Sequence, residues 1–171
     1  SNNSIHSSYR DFENGWELND TVFFEFNSFP DKKYDIQFHI RNDNNYQYSN
    51  LFMIASLNED NILITKDTLE YLMADKEGNF LGSGYGNIRE SFLIWIDEYD
   101  FKKGSDYLIT LNHAMRKNQE EKGLKILPGV VSLGIKFSEK KPDNLFSVIC
   151  LFFLLSFFTS DQFLVLLVSF N

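Results

Sequence analysis

Large apolar side chains in this chain recur at every second residue, a period that fits β-strands and not helices. The clearest case runs from Tyr34 to Arg41, where Tyr34, Ile36, Phe38 and Ile40 alternate with Asp35, Gln37, His39 and Arg41. Successive strand side chains point to opposite faces, so this segment has one buried and one wet face. Val22, Phe24 and Phe26 oppose Phe23, Glu25 and Asn27 in the same way. So do Tyr107, Ile109, Leu111 and His113 against Leu108, Thr110, Asn112 and Ala114, and a last strand carries Val131, Leu133, Ile135 and Phe137. Phe92, Ile94 and Ile96 are expected to begin another strand, with Trp95 on its other face. Leu51 to Leu57 is a continuous apolar run of strand length, which predicts a central strand. Asn58 to Asn61 then reads as a four-residue loop, and Ile62 to Thr68 as the returning arm of a hairpin.

Turn signals punctuate these runs. Pro30-Asp31, the polar stretch Arg41 to Gln47, Asp75 to Gly78 and the segment around Gly104 all break the period. Phe80 to Glu90 is glycine-rich and reads as irregular chain, and 116–125 as a charged loop. Seven or eight short strands with no long amphipathic helix and no repeat predict an all-β fold: an antiparallel β-sandwich, jelly-roll-like. The abundance of Phe (18) and Tyr (8) suits pleated surfaces. The expected organisation is a flexible tether over 1–15, the sandwich over 16–141 and an apolar tail over 142–171 outside the domain.

Charge narrows the function classes. All 16 Lys and Arg precede Pro142, and of the 24 acidic residues only Asp143 and Asp161 follow it, so the body is acidic, at −6. Nucleic acid is held mainly by basic side chains on phosphates, and no basic run is present, so no nucleic-acid partner is expected. The single cysteine, Cys150, cannot close an internal disulfide, and no Cys/His spacing suits zinc. The opening SNNSIHSS is polar and carries no signal peptide, which leaves a cytosolic chain or one whose signal was removed before Ser1.

The tail is unlike the body. Leu145 to Phe158 is almost purely apolar, Thr159 to Gln162 interrupts it, and Phe163 to Phe170 resumes it. A spanning helix needs roughly 20 apolar residues. Joining both runs buries Asp161, at roughly 2.5–3.5 kcal/mol at the bilayer centre. Lys136, Lys140 and Lys141 precede the tail and nothing positive follows, an arrangement that would place the body in the cytoplasm. Three readings stay open: a membrane anchor, an addition to the core, and a non-native C-terminus.

Reactive constellations are sparse. Gly82-Ser83-Gly84-Tyr85-Gly86 lacks the spacing and the following helix of a dinucleotide fingerprint, and fits a tight irregular loop. Asp67 with Glu70, or Asp97, Glu98 and Asp100, are the carboxylates a glycoside hydrolase would need to pair, although solvated turn and edge positions account for them. Asp43, Asn44 and Asn45 offer oxygen ligands without a calcium-loop spacing, so turn chemistry explains them better. His113 on a strand face reads as a satisfied, partly buried histidine, and no Gly-x-Ser-x-Gly elbow occurs. No catalytic, metal or cofactor residue is assigned. Tyr46, Tyr48, Tyr85 and Trp95 form a candidate sugar platform, with core packing as the alternative.

Several segments, in order over roughly residues 16–138, resemble the GldH family of gliding-motility lipoproteins of the Bacteroidetes. They are Arg41-Asn42 with Tyr46, Tyr48 and Ser49-Asn50-Leu51; KDTLEYLMA from Lys66 to Ala74, then Gly78, Leu81-Gly82-Ser83-Gly84 and Ile88-Arg89-Glu90; Gly104, Tyr107 and Ala114-Met115-Arg116; and Leu127-Pro128-Gly129-Val130 with Gly134-Ile135-Lys136. The resemblance implies an exported lipoprotein of the bacterial cell envelope, facing the periplasm or the outer surface. Its lipid would sit on a cysteine directly preceding Ser1. The resemblance also implies a non-enzymatic component of the gliding machinery and its linked secretion apparatus, whose partners are other envelope proteins of those systems. No catalytic residue or cofactor comes with it. The family has no counterpart to residues 142–171. Polar and glycine-rich loops on a rigid scaffold are where contacts concentrate. The candidate contact residues are therefore Asn42, Asn45, Tyr46, Tyr48 and Asn50 in one loop and Gly82, Gly84, Tyr85 and Arg89 in another. The competing function is a carbohydrate-binding surface lipoprotein with a jelly-roll fold, and a weaker third is a hydrolase.

Overall fold

A computed structural model describes residues 4–27, 30, 32–116 and 123–139. The readings made for the tail 142–171 and for most of the charged loop 116–125 lie outside the described residues. The described chain is all strand and turn, in ten strands: β1 (Ser4–Asp11), β2 (Trp16–Glu17), β3 (Val22–Phe26), β4 (Lys32–Asn42), β5 (Asn50–Glu59), β6 (Ile62–Leu72), β7 (Arg89–Phe101), β8 (Tyr107–His113), β9 (Ile126–Leu127) and β10 (Val130–Glu139).

Eight of these build two four-stranded antiparallel sheets, ordered β1-β10-β4-β7 and β3-β8-β5-β6, and β2 pairs with β9 in a small ribbon. The chain switches sheet at every long connection and stays in one sheet only across the β5–β6 hairpin. That is the double Greek-key order of a jelly roll, as the alternation and turn spacing predict.

The two inner faces carry the expected alternate residues. Tyr34, Ile36, Phe38 and Ile40 of β4 are buried, and so are Tyr107, Ile109, Leu111 and His113 of β8. Aromatic edges lock one sheet to the other: Phe26 meets Phe137 at 4.7 Å and Phe101 meets Tyr107 at 4.7 Å, both edge-on. Such pairs add about 0.5–1.5 kcal/mol beyond the area they bury. β5 lies between β8 and β6, as its apolar run predicts.

Two expectations change, and on β7 the structure decides which face is buried. The β5–β6 connection is a two-residue turn at Asp60 and Asn61, not a four-residue loop. Both residues have positive φ, at 49° and 65°, the conformation that matches the twist of a hairpin. On β7 the inner face belongs to Leu93 and Trp95, while Phe92 and Ile94 point outward and are exposed. Trp95 stacks on Phe38 at 5.2 Å inside the core. Five apolar residues in succession leave the period ambiguous, and the large indole takes the interior.

The other change is at the N-terminus. Ser4–Asp11, read as tether, is an edge strand paired antiparallel with β10, and Phe12 behind it packs in the core. Its Ser-rich sequence gives little apolar signal. Pairing across from Leu133, Gly134 and Ile135 supplies what the side chains do not.

Candidate functional site

The two candidate loops meet at one end of the sandwich. β4 ends at Asn42 beside the start of β7, with Asn42 opposite Arg89 and Arg41 opposite Glu90. Arg41 Nε donates to Glu90 Oε1 across 3.2 Å, a partly exposed ion pair. In the second sheet Asn50 opens β5 opposite Leu72, the last residue of β6. The amides of Met73 and Ala74 both donate to the Ser49 carbonyl, and Leu81 N donates back to Met73 O. The 43–49 turn, the 73–88 connection and the Pro128-Gly129 turn therefore share one end. Asp43 N donates to Gly129 O at 2.8 Å.

The candidate residues divide by burial. Asn42 and Tyr46 are buried. The Tyr46 hydroxyl donates to Asn50 O at 2.7 Å, and burial pushes its pKa well up. Its ring meets Tyr48 edge-on at 5.7 Å. Gly129, at φ +78°, packs so closely on Tyr46 that a Cβ there would overlap the Tyr46 backbone nitrogen. Tyr46 is thus the post on which the loop is built. Asn45, Gly84 and Tyr85 are exposed, while Tyr48, Asn50, Gly82 and Arg89 are half-buried.

In the 82–90 loop, Ser83 and Glu90 exchange two backbone bonds of 3.0 and 2.7 Å. A Cβ on Gly84 would overlap the Ile88 carbonyl, so only glycine closes this turn. Arg89 Nη1 donates to the carbonyls of Gly86 and Ile88, which spends its charge on holding the loop. Tyr85 at the tip is 98 % exposed.

The other chemistry-bearing residues are placed apart. Asp67 accepts from Trp95 Nε1 at 2.9 Å, whereas Glu70 lies three positions along β6, on its opposite face, and accepts from Asn50. Those two carboxylates do not face each other. Asp43 uses both oxygens on Asn45, in an Asx turn rather than a cation cage. His113 is buried edge-on against Trp16, at 5.5 Å. Among the described residues no group of three or more His, Cys, Asp or Glu is placed to hold a metal ion. The sugar platform is not assembled: Tyr46 and Trp95 are core residues, and of the four only Tyr85 is fully presented. No helix among the described residues is long and apolar enough to cross a membrane.

Sequence reasoning missed one cluster on the outer face of the first sheet. The Tyr9 hydroxyl and His39 Nδ1 share a hydrogen bond of 3.0 Å, and Arg41 lies over the Tyr9 ring at 4.8 Å. Phe92 covers His39 edge-on at 4.3 Å, and Glu90 stands 3.8 Å from Nδ1. Gly134 beneath Tyr9 leaves room for the ring. Burial lowers the pKa of His39, with Glu90 opposing. The signal available in the sequence was an aromatic in the N-terminal segment with a glycine in the last strand, legible only once their pairing is known.

The fold and this end of it define a jelly-roll domain that presents loops on a rigid sandwich. The GldH lipoprotein family model matches residues 4–137, and the chain belongs to that family. It is 35 % identical over 130 residues to the "Gliding motility lipoprotein GldH homolog" of Christiangramia forsetii, covering 75 % of this chain and 79 % of the relative. It is 28 % identical over 137 residues to the "Gliding motility lipoprotein GldH" of Flavobacterium johnsoniae, covering 80 % and 85 %. Membership in a lipoprotein family associates the chain with the cell envelope, and the family is not a known enzyme family. Among solved structures, dimeric latent PorU from Porphyromonas gingivalis aligns at a TM-score of 0.33 and 10 % identity, over 82 % of this chain and 14 % of that one.

Proposed function

We propose that this chain is a non-enzymatic structural and interaction module of the gliding machinery and its linked secretion apparatus. It holds other envelope proteins of those systems with the exposed parts of the 41–50 and 82–90 loops. A lipid on a cysteine preceding Ser1 fixes it to the membrane.

What supports this reading is the placement of the loops relative to the N-terminus. Ser4 pairs with Ser138 at one end of the sheet, next to Glu139 opposite Tyr34. Asn42, Arg89 and Val130 mark the other end. The 11 residues of β4 span the distance between them, about 35 Å at the usual strand rise. An anchor at the N-terminal end directs Asn45, Tyr48 and Tyr85 away from the membrane that holds it. A rigid sheet of long antiparallel strands between anchor and loops suits a module that bears load.

The test is a Tyr85→Ala, Asn45→Ala double variant in a host whose deletion strain fails to spread on agar. Both side chains are exposed, so the fold is expected to keep its stability while spreading is lost. A variant that folds normally and restores full spreading would sink the assignment of these loops as the contact surface.

A further inference from the structure

The β7 edge of the first sheet is closed at two points and open at one between them. In an antiparallel edge strand, alternate residues turn both N–H and C=O away from the sheet. On β7 these are the even-numbered residues: the backbone groups of Glu90 are taken by Ser83, and the carbonyl of Ile94 accepts the Tyr71 hydroxyl at 2.9 Å. Phe92 lies midway. Its outward N–H and C=O have no hydrogen-bond partner among the described residues, and the Ile94 N–H beside them likewise has none.

That open stretch borders a slot of about 300 Å³, lined by Leu72, Leu81, Gly82, Ser83, Phe92 and Leu93 among others. Its apolar walls are unusually bare. Leu72 is 67 % exposed, Leu81 57 %, Phe92 54 % and the adjoining Ile94 62 %. Unpaired edge groups template a neighbouring strand, and natural edges are normally blunted by charge, proline or cover. Here Ser83 and Tyr71 do that blunting on either side and leave one gap with apolar flanks. The only charged residue of the lining, Glu90, is already paired with Arg41.

We infer that this gap receives a short, uncharged, extended segment of a partner protein, which adds as a strand against Phe92 and sets an apolar side chain between Leu72 and Leu81. The inference deepens the interaction role proposed above and rests on it. Size selects the occupant. The closures at Glu90 and Ile94 leave one open pair of edge groups between them, at Phe92, so a segment of a few residues can pair there, whereas the strand of a second copy would have to pass both closures. Backbone pairing supplies affinity and the slot supplies selectivity, as in other strand additions.

The experiment uses the full chain and, as probe, a capped hexapeptide of alternating valine and threonine. Amide exchange of Phe92 is read by NMR with and without peptide. The peptide is expected to slow that exchange about tenfold, a protection that reports a newly formed hydrogen bond. Leu72→Asp, at an exposed position, is expected to abolish the protection. Phe23→Asp, on the second sheet, is expected to keep it. Unchanged exchange at Phe92, or equal protection in Leu72→Asp, overturns the inference. In a host whose deletion strain fails to spread, Leu72→Asp is expected to spread poorly, and full spreading overturns the inference while the interaction role stands. A deletion strain that spreads normally removes the role itself, and the exchange measurement then decides the slot alone.

Discussion

The hydroxyl of Tyr71 donates to the backbone carbonyl of Ile94 across 2.9 Å, so a side chain of one sheet closes the edge of the other. Four residues earlier on β6, Asp67 accepts from Trp95 Nε1, a bond in the opposite sense, from the first sheet to the second. Side-chain bonds in both directions therefore stitch the two sheets. Burial of the Tyr71 ring raises its pKa to about 12, so the hydroxyl stays protonated and able to donate at any physiological pH.

Tyr71→Phe tests that stitch. The ring is kept and one hydrogen bond is lost, so the expected cost is about 1 kcal/mol in urea denaturation. Amide exchange near Ile94 should quicken more than exchange in the buried strands β5 and β8. An unchanged urea midpoint would mean that solvent replaces the hydroxyl at no cost.

The outward turn of Phe92 and Ile94 predicts opposite outcomes at neighbouring positions. Leu93→Ala removes a buried side chain and should cost about 2–4 kcal/mol. Ile94→Thr keeps the β-branch at an exposed site and should change stability by no more than about 0.5 kcal/mol. Equal costs at both positions would show that β7 turns the other way, with its apolar run reversed.

That pair also marks where the sequence was legible. Strict alternation with charged or amide residues, as in β4 and β8, specifies which face is buried because a one-residue slip would bury Asp35 or Arg41. In Phe92-Leu93-Ile94-Trp95-Ile96 no slip buries a charge, so the pattern carries no orientation. Only the fit of Trp95 on Phe38 and its bond to Asp67 decides. The polar β1 was unreadable for the opposite reason: an edge strand held by backbone pairing needs no apolar period. The 41–50 and 82–90 loops were readable from their glycine, asparagine and aspartate content. Their meeting at one end depends on β4 and β7 being neighbours, which is long-range information. The burial of Tyr46 beneath Gly129 is of the same kind.

Two buried histidines predict how stability varies with pH. His39 is packed beneath Tyr9 and Phe92, with Glu90, Arg41 and Lys136 as the charged groups around it. His113 is packed against Trp16. Burial lowers both pKa values below 6.5, outweighing Glu90 at His39 and the Trp16 backbone at His113. Above 6.5 both forms of the chain carry neutral histidines and the two make no contribution to pH dependence. As pH falls below 6.5 the unfolded chain binds protons that the folded chain does not, so stability declines until the folded pKa values are reached. The slope is at most about 1.4 kcal/mol per pH unit for each histidine. Urea titrations at pH 8, 6.5 and 5.5 should show a flat upper interval and a falling lower one, with a shallower fall in His39→Gln. Stability that holds constant from pH 7 to 5.5 would contradict the burial of both rings.

Gly129→Ala should be the most damaging small substitution at the loop end. The residue sits at φ +78°, which alone costs a non-glycine residue about 1 kcal/mol or more. An added Cβ would also overlap the Tyr46 backbone, which cannot move without breaking the bonds from Tyr46 OH to Asn50 O and from Asp43 N to Gly129 O. The combined loss should exceed about 3 kcal/mol, the range reserved for strain and broken buried networks. Because Tyr46 carries the 43–49 turn, the variant should lose spreading even at temperatures where it remains folded. Tyr48→Ala, a half-buried neighbour without that backbone contact, should cost much less. A Gly129→Ala protein of near wild-type stability would mean that the turn has another conformation open to it, and that Tyr46 is not the post that holds the loop.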